Sequence, residues 1–228
     1  MIYIKPEIIF YIFGVPITNT LFSAFIIIIL LLVFLLFFKV KIKPSRIQIL
    51  IEVFYEHIFN FWSNIVGSQN KILFTFCLSF LVYIALANVL ILFPLFDSIY
   101  LLKDKEKIHI FRSPFSDLNL TLALSIISVV FVNFLAFLKH GFKFFKKFFS
   151  PIGILELISE FAKIFSFSFR LFGNILAGKI LISVISGLFI FLLPSFFIFL
   201  EFFVGLIQAF VFFMLTTIFL RVALEENH

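Results

Sequence analysis

Residues 163–183, KIFSFSFRLFGNILAGKILIS, form an apolar run with one arginine close to its centre. Arg170 stands among phenylalanine and leucine, and no acidic residue occurs between Glu160 and Glu201. A charge in the middle of a membrane-spanning segment costs about 3 kcal/mol on insertion scales. An arginine near a helix end can extend to the lipid headgroups, but Arg170 has mainly apolar residues for about two turns on each side. We therefore expect Arg170 to serve an ion pathway, a ligand or a partner.

Three neighbours in the same run bear on this residue. Asn174 lies one helical turn beyond Arg170, so a helix places both side chains on one face. Gly173 and Gly178 have no side chain, which allows another helix to approach closely. The run therefore predicts a tightly packed helix that carries a polar stripe.

The composition is that of a membrane protein that crosses the bilayer several times. Hydrophobic residues make up 63% of the 228 and charged residues only 13%, and the mean hydropathy is +1.24. A soluble domain of this size could not bury so much apolar surface. The net charge of +6 comes from short lysine clusters between apolar runs. Clusters of this kind set the orientation of a membrane protein, so we expect no nucleic-acid partner. The single cysteine, Cys77, excludes an intrachain disulfide.

The apolar runs predict an all-α polytopic membrane protein in a single membrane domain, residues 1–228, with about five membrane crossings and an amphipathic surface helix. The crossings are expected at residues 21–38, 72–94, 117–138, 152–192 and 196–220, and the amphipathic helix at 45–66. A bilayer needs about 20 residues per crossing. Residues 152–192 are about twice as many, so we expect a strongly tilted hairpin whose turn lies at Pro194 and Ser195.

Basic residues predict the orientation. The clusters at residues 39–46 and 139–147 are expected in the cytoplasm, which places the N-terminus outside and the C-terminus in the cytoplasm. The charges of the loop at 96–116 nearly cancel, as expected outside. Residues 1–20 are expected to hold no long helix, with Thr18, Asn19 or Thr20 capping the first crossing.

Polar residues in the last two segments suggest a lined path. Glu156 precedes Arg170 by 14 positions, close to four helical turns, and Glu201 and Gln208 are seven positions apart on one face. Polar stripes on two antiparallel helices in hydrocarbon indicate a path for ions. Lys179 and Glu201 could alternatively form an ion pair that only holds the hairpin together. A turn at Pro194 would separate these two residues by roughly nine positions, or ~13 Å.

The sequence RLFGN at 170–174, followed by AG at 177–178, resembles the signature of subunit a of F-type ATP synthases. The resemblance extends over nearly the whole chain, in the order that the family shows. Its further elements are GVPITNT at 14–20, RIQ at 46–48 with Glu52, Asn88, DLNLTL at 117–122, Glu156, Ser159, Ser166, Gln208 and the closing EE at 225–226.

The resemblance implies a stator subunit that is not itself catalytic and needs no cofactor or metal. Such a subunit stands beside a rotating ring of c subunits, near subunit b, in the lipid bilayer. The two basic clusters and the acidic tail favour a bacterial inner membrane over an organellar one. The subunit provides two half-channels for H⁺, or for Na⁺, and an essential arginine between them, here Arg170. The implied ion path also includes Asn174, Gln208, Glu201, Lys179, Glu156, Asp117 and Asn119. Relatives usually have Glu or His where this chain has Lys179, and His or Glu in place of Glu201.

Two other classes of membrane protein fit the sequence less well. A stand-alone transporter or channel would be expected to show an inverted repeat and paired broken helices, and the sequence shows neither. A membrane subunit of a respiratory enzyme would be expected to carry histidine pairs for haem or quinone. Only four histidines occur, and none falls in the core of a predicted crossing.

Overall fold

The computed structural model describes residues 6–12, 14–38, 45–92, 100–103, 106–141, 153–188 and 192–225. Most of both basic clusters lies outside these ranges. The helices are α1 (Asn19–Phe37), α2 (Arg46–Val66), α3 (Lys71–Leu92), α4 (Leu118–His140), α5 (Gly153–Leu188) and α6 (Leu192–Glu225), with a short 3₁₀ helix at Pro114–Ser116. Two antiparallel hairpins pair β1 (Ile8–Ile12) with β2 (Val15–Thr18) and β3 (Tyr100–Lys103) with β4 (Glu106–His109).

The all-α polytopic fold is confirmed. Within the described ranges, five helices are long and apolar enough to cross a membrane, namely α1, α3, α4, α5 and α6. The remaining long helix, α2, is amphipathic as predicted. It buries Ile58, Trp62 and Val66, which recur every four residues, and leaves the opposite face exposed.

Helix α6 lies at the centre of the bundle and contacts α2, α3, α4 and α5. Asn88 of α3 donates from Nδ2 to the carbonyl oxygen of Gly205 at 2.9 Å. A Cβ on Gly205 would lie only 3.0 Å from the Cβ of Asn88, so glycine is what lets α3 and α6 approach at this point. Phe80 and Phe212 continue the same antiparallel contact, with ring centroids 5.2 Å apart.

Helices α4, α5 and α6 form a three-helix unit joined by hydroxyl groups. The hydroxyl oxygens of Thr121 and Ser168 lie 2.9 Å apart, linking α4 to α5. Those of Ser128 and Thr216 lie 3.1 Å apart, linking α4 to α6. All four residues are buried. Hydrogen bonds of this kind satisfy polar groups between membrane helices.

We call the two ends of the bundle the hairpin end and the tail end. The hairpin end holds the β-hairpins, the 3₁₀ helix and the start of α4. The tail end holds the end of α4, the start of α5 and the end of α6. At the hairpin end Thr18 caps α1 by accepting from the backbone N–H of Leu21 at 3.4 Å. This confirms the predicted cap, whereas neither β-hairpin was predicted.

The predicted turn at Pro194 and Ser195 is wrong. Helix α5 ends at Leu188 and α6 begins at Leu192, so Pro194 lies inside the first turn of α6. Proline is tolerated there because the first N–H groups of a helix have no intrahelical partner. Helix α6 also continues to Glu225, beyond the predicted end at residue 220.

Candidate functional site

Arg170 lies halfway along α5, outside the stripe of residues that this helix buries. The buried stripe of this helix is formed by Phe167, Ser168, Leu171 and Ile175, whereas Arg170 is exposed on the lateral surface. One guanidinium nitrogen donates to Ser166 Oγ at 3.4 Å. In the part of the chain that the structure describes, no carboxylate pairs with this guanidinium. Arg170 therefore presents a positive charge on the side of the bundle.

Two buried amides lie behind Arg170 without a hydrogen-bond partner among the described residues. They are Nδ2 of Asn174 on α5 and Nε2 of Gln208 on α6. Phe167 of α5 packs on Phe212 of α6 with ring centroids 4.6 Å apart. Because the two helices are antiparallel, this contact places Arg170 level with residue 209, one position from Gln208. The structure thus brings Arg170 and Gln208 to the same depth, with Asn174 one turn towards the hairpin end.

Glu201 of α6 packs directly on Gly178 of α5. A Cβ built on Gly178 would lie 2.6 Å from Oε1 of Glu201, so the carboxyl group occupies the space that the glycine leaves. Lys179 follows Gly178 in the sequence and is half-buried. The separation of ~13 Å expected for Lys179 and Glu201 is therefore wrong: it resulted from placing a turn at Pro194, which lies inside α6.

Asp117 and Asn119 lie together at the hairpin end. Asp117 is buried and caps α4, with Oδ1 accepting from the backbone N–H of Asn119 at 3.0 Å. Its Oδ2 accepts from the hydroxyl of Thr20 at 3.0 Å, which ties α4 to α1. The side chain of Asn119 is exposed. Asp117 therefore has a structural role in joining α1 to α4, and the participation of both residues in an ion path stays a prediction.

A cavity of about 220 Å³ lies between α4, α5 and α6 at the tail end. It contains the predicted Glu156, together with Glu160 and Lys163, which were not predicted as site residues. Asn133 of α4 donates to Glu160 at 2.8 Å. The spacing of Glu156, Glu160 and Lys163 along one helix face was a visible signal for these missed residues. Among the described residues, no group of three or more histidine, cysteine or acidic side chains is arranged to hold a metal ion.

The sites described above lie at three depths along the α5–α6 pair. Glu201 and Lys179 lie towards the hairpin end, Arg170 lies at mid-length, and the acidic cavity lies at the tail end. The sequence profile of the ATP synthase A chain family matches residues 20–221, which include all three. The chain belongs to this family.

Relatives of known identity are similar in sequence to this chain over most of their length. Subunit a of Moorella thermoacetica is 30% identical over 222 residues, which cover 95% of each chain. Subunit a of Desulfotalea psychrophila is 33% identical over 189 residues, 74% of this chain and 72% of the relative. The sodium-ion-specific subunit a of Propionigenium modestum is 29% identical over 222 residues, 92% of this chain and 75% of the relative. This family provides an ion-translocating subunit of the membrane sector, not the catalytic subunit of the enzyme.

Proposed function

We propose that this subunit a provides two half-channels to a ring of c subunits, with Arg170 separating them, and so couples ion flow to rotation of the ring. The observation that carries the proposal is the position of Arg170. Its guanidinium lies on the lateral surface at mid-length of α5, with no carboxylate partner among the described residues. A carboxylate of the ring is the partner that this charge would attract.

Arginine suits this role for two physical reasons. Its guanidinium stays protonated under all conditions that proteins meet, whereas a desolvated lysine can lose its proton. A fixed positive charge favours the ionised form of a nearby carboxylate, so each ring carboxylate would release its ion on reaching Arg170. The same charge would repel a cation moving directly from one half-channel to the other.

The polar groups on either side of Arg170 supply the two half-channels. Towards the hairpin end we assign Glu201, Lys179, Asn174 and Gln208 to one path, together with Asp117 and Asn119 at the start of α4. Buried amide donors such as those of Asn174 and Gln208 require a hydrogen-bond partner, which water in a path would supply. Towards the tail end the cavity that contains Glu156 forms the other path.

The ring is expected to cover the exposed face of α5 around Arg170. This surface is apolar apart from the arginine and Ser166, with Phe165 and Phe169 about half exposed. Subunit b and lipid are the other expected neighbours. The transported ion is H⁺ or Na⁺. The Propionigenium modestum relative is specific for sodium, and measuring the flux of each ion would show which one this chain carries.

Disulfide cross-linking tests the docking of the ring. A cysteine replaces Phe169, which is 53% exposed beside Arg170, in a chain whose Cys77 is replaced by serine. A second cysteine is placed next to the essential carboxylate of the c subunit. We expect an oxidised a–c product. The matched control replaces Ile126, which is 44% exposed on α4, and should give none. Equal yields from both positions, or no product from position 169, would contradict the proposal.

The orientation is proposed from the basic clusters: the hairpin end faces outwards, and the tail end faces the cytoplasm of a bacterium across its inner membrane. Tyr11 in β1 is 63% exposed, and Gln69 is exposed between α2 and α3. In whole cells an impermeant thiol reagent should label a Tyr11→Cys variant and leave a Gln69→Cys variant unlabelled until the cells are opened. The reverse pattern would show that the orientation is inverted.

A further inference from the structure

Among the residues that the structure describes, the charged side chains that line the tail-end cavity all come from α5. They are Glu156, Glu160 and Lys163, whereas α4 contributes Ser128 and Asn133 as its polar groups and α6 contributes apolar residues only. Lys163 lies seven positions, or two helical turns, from Arg170 on the same side of the helix, which is about 10 Å. Lys163 therefore stands between the cavity and the arginine.

Glu160 is held from two helices. Asn133 Nδ2 donates to its Oε2 at 2.8 Å and also to the carbonyl oxygen of Val129 at 3.1 Å, which fixes the amide. The ammonium group of Lys163 donates to Oε1 of the same carboxylate. The Glu160 and Lys163 side chains are only 18% and 25% exposed, so both charges are largely removed from water.

Lys163 is held on its other side by an aromatic ring. Its ammonium nitrogen lies 4.6 Å from the centroid of Phe219 on α6, within the range of a cation–π contact. The lysine charge is thus fixed in place by α5 and α6, and among the described residues its carboxylate contact is Glu160.

We propose that Glu160 is the counter-ion that neutralises Lys163 and keeps the passage between the cavity and Arg170 open to a monovalent cation. This inference rests on the proposed function, because it assigns a role within the tail-end half-channel. Without Glu160, a cation leaving the ring would meet a second uncompensated positive charge shortly after Arg170. At an effective dielectric constant near 20, the repulsion between the Lys163 charge and a cation about 10 Å away is enough to slow the passage of the cation about tenfold. Glu160 acts through Lys163 and is a positioning residue, not the group that carries the ion.

The test measures passive ion flux in vesicles that contain the complete membrane sector stripped of the catalytic sector. A potassium diffusion potential drives the flux, protons are followed with a pH-sensitive dye, and sodium is followed with a radioactive tracer. The variants are Glu160→Gln, Lys163→Gln and the double variant, with flux normalised to the amount of assembled subunit a. We expect Glu160→Gln to lower flux about tenfold and the double variant to regain most of it, because both charges are then absent.

Two further arms separate this role from a purely structural one. Glu160→Asp keeps the charge and should retain most of the flux. Glu160→Ala, which also removes the charge, should slow flux like Glu160→Gln, because the loss comes from the uncompensated Lys163 charge and not from the shape of the side chain. An Arg170→Ala variant, assayed for ATP-driven pumping in the complete complex, identifies a failure of the proposed function itself. If Arg170→Ala fails to pump but Glu160→Gln conducts normally, or if the double variant is as slow as Glu160→Gln, the counter-ion role is wrong.

Discussion

Replacing Arg170 with alanine will abolish ion-driven ATP synthesis and ATP-driven pumping while the complex still assembles. The side chain is exposed on the lateral face of α5 and makes a long hydrogen bond to Ser166, so its removal leaves no cavity in the bundle. What is lost is the positive charge that meets each ring carboxylate. Removal of a single preorganised electrostatic group commonly lowers a rate by at least about 100-fold. Coupled synthesis and pumping in inverted membrane vesicles, normalised to subunit a, measure this.

The chain offers a matched arginine as a control. Arg221 near the end of α6 is exposed and donates to Glu225 one turn further on at 2.9 Å. A surface pair of this kind contributes only about 0–1 kcal/mol, so Arg221→Ala should leave coupling nearly normal. Arg170→Lys should fail with Arg170→Ala, because a desolvated ammonium can lose its proton. Wild-type pumping by an assembled Arg170→Ala complex would disprove the role of the arginine.

Features set by local chemistry could be predicted from the sequence. The apolar runs located the five crossing helices because each needs about 20 apolar residues in succession. Thr18 was among the predicted caps because its hydroxyl can accept from the first N–H groups of α1. Arg170 stood out because a charge in such a run is costly. In each case the signal lies within a few neighbouring residues.

Features set by the meeting of distant segments could not be predicted in the same way. The contact between Asn133 and Glu160 depends on how α4 packs on α5, which periodicity does not specify. The sequence predicts a turn at Pro194 because proline often breaks helices, yet proline is equally compatible with the first turn of a helix. That error shifted the register of the α5–α6 pair and separated residues that the structure places together.

The corrected register gives the second large effect, at Gly178. The glycine is ten positions before the end of α5, and Glu201 is nine positions after the start of α6, so the two lie level across the hairpin. A Cβ at position 178 would lie 2.6 Å from Oε1 and 2.7 Å from Cδ of Glu201. These atoms are at the end of a flexible side chain, so Gly178→Ala should move the carboxyl group without preventing assembly.

Gly178→Ala is therefore expected to reduce ion flux through the membrane sector by about tenfold to 100-fold, because a displacement of about 1 Å in a reacting group can have an effect of that size. Gly187→Ala is the matched control on the same helix: its Cβ would meet nothing within 4 Å, and the change in helix propensity is the same. Combining Gly178→Ala with Glu201→Asp shortens the displaced side chain by one methylene and should recover part of the flux. If Gly178→Ala conducts as well as Gly187→Ala, the position of the Glu201 carboxyl group does not limit flux. The path on the hairpin side would then have to depend on the amides of Asn174 and Gln208, whose donors are buried beside Arg170.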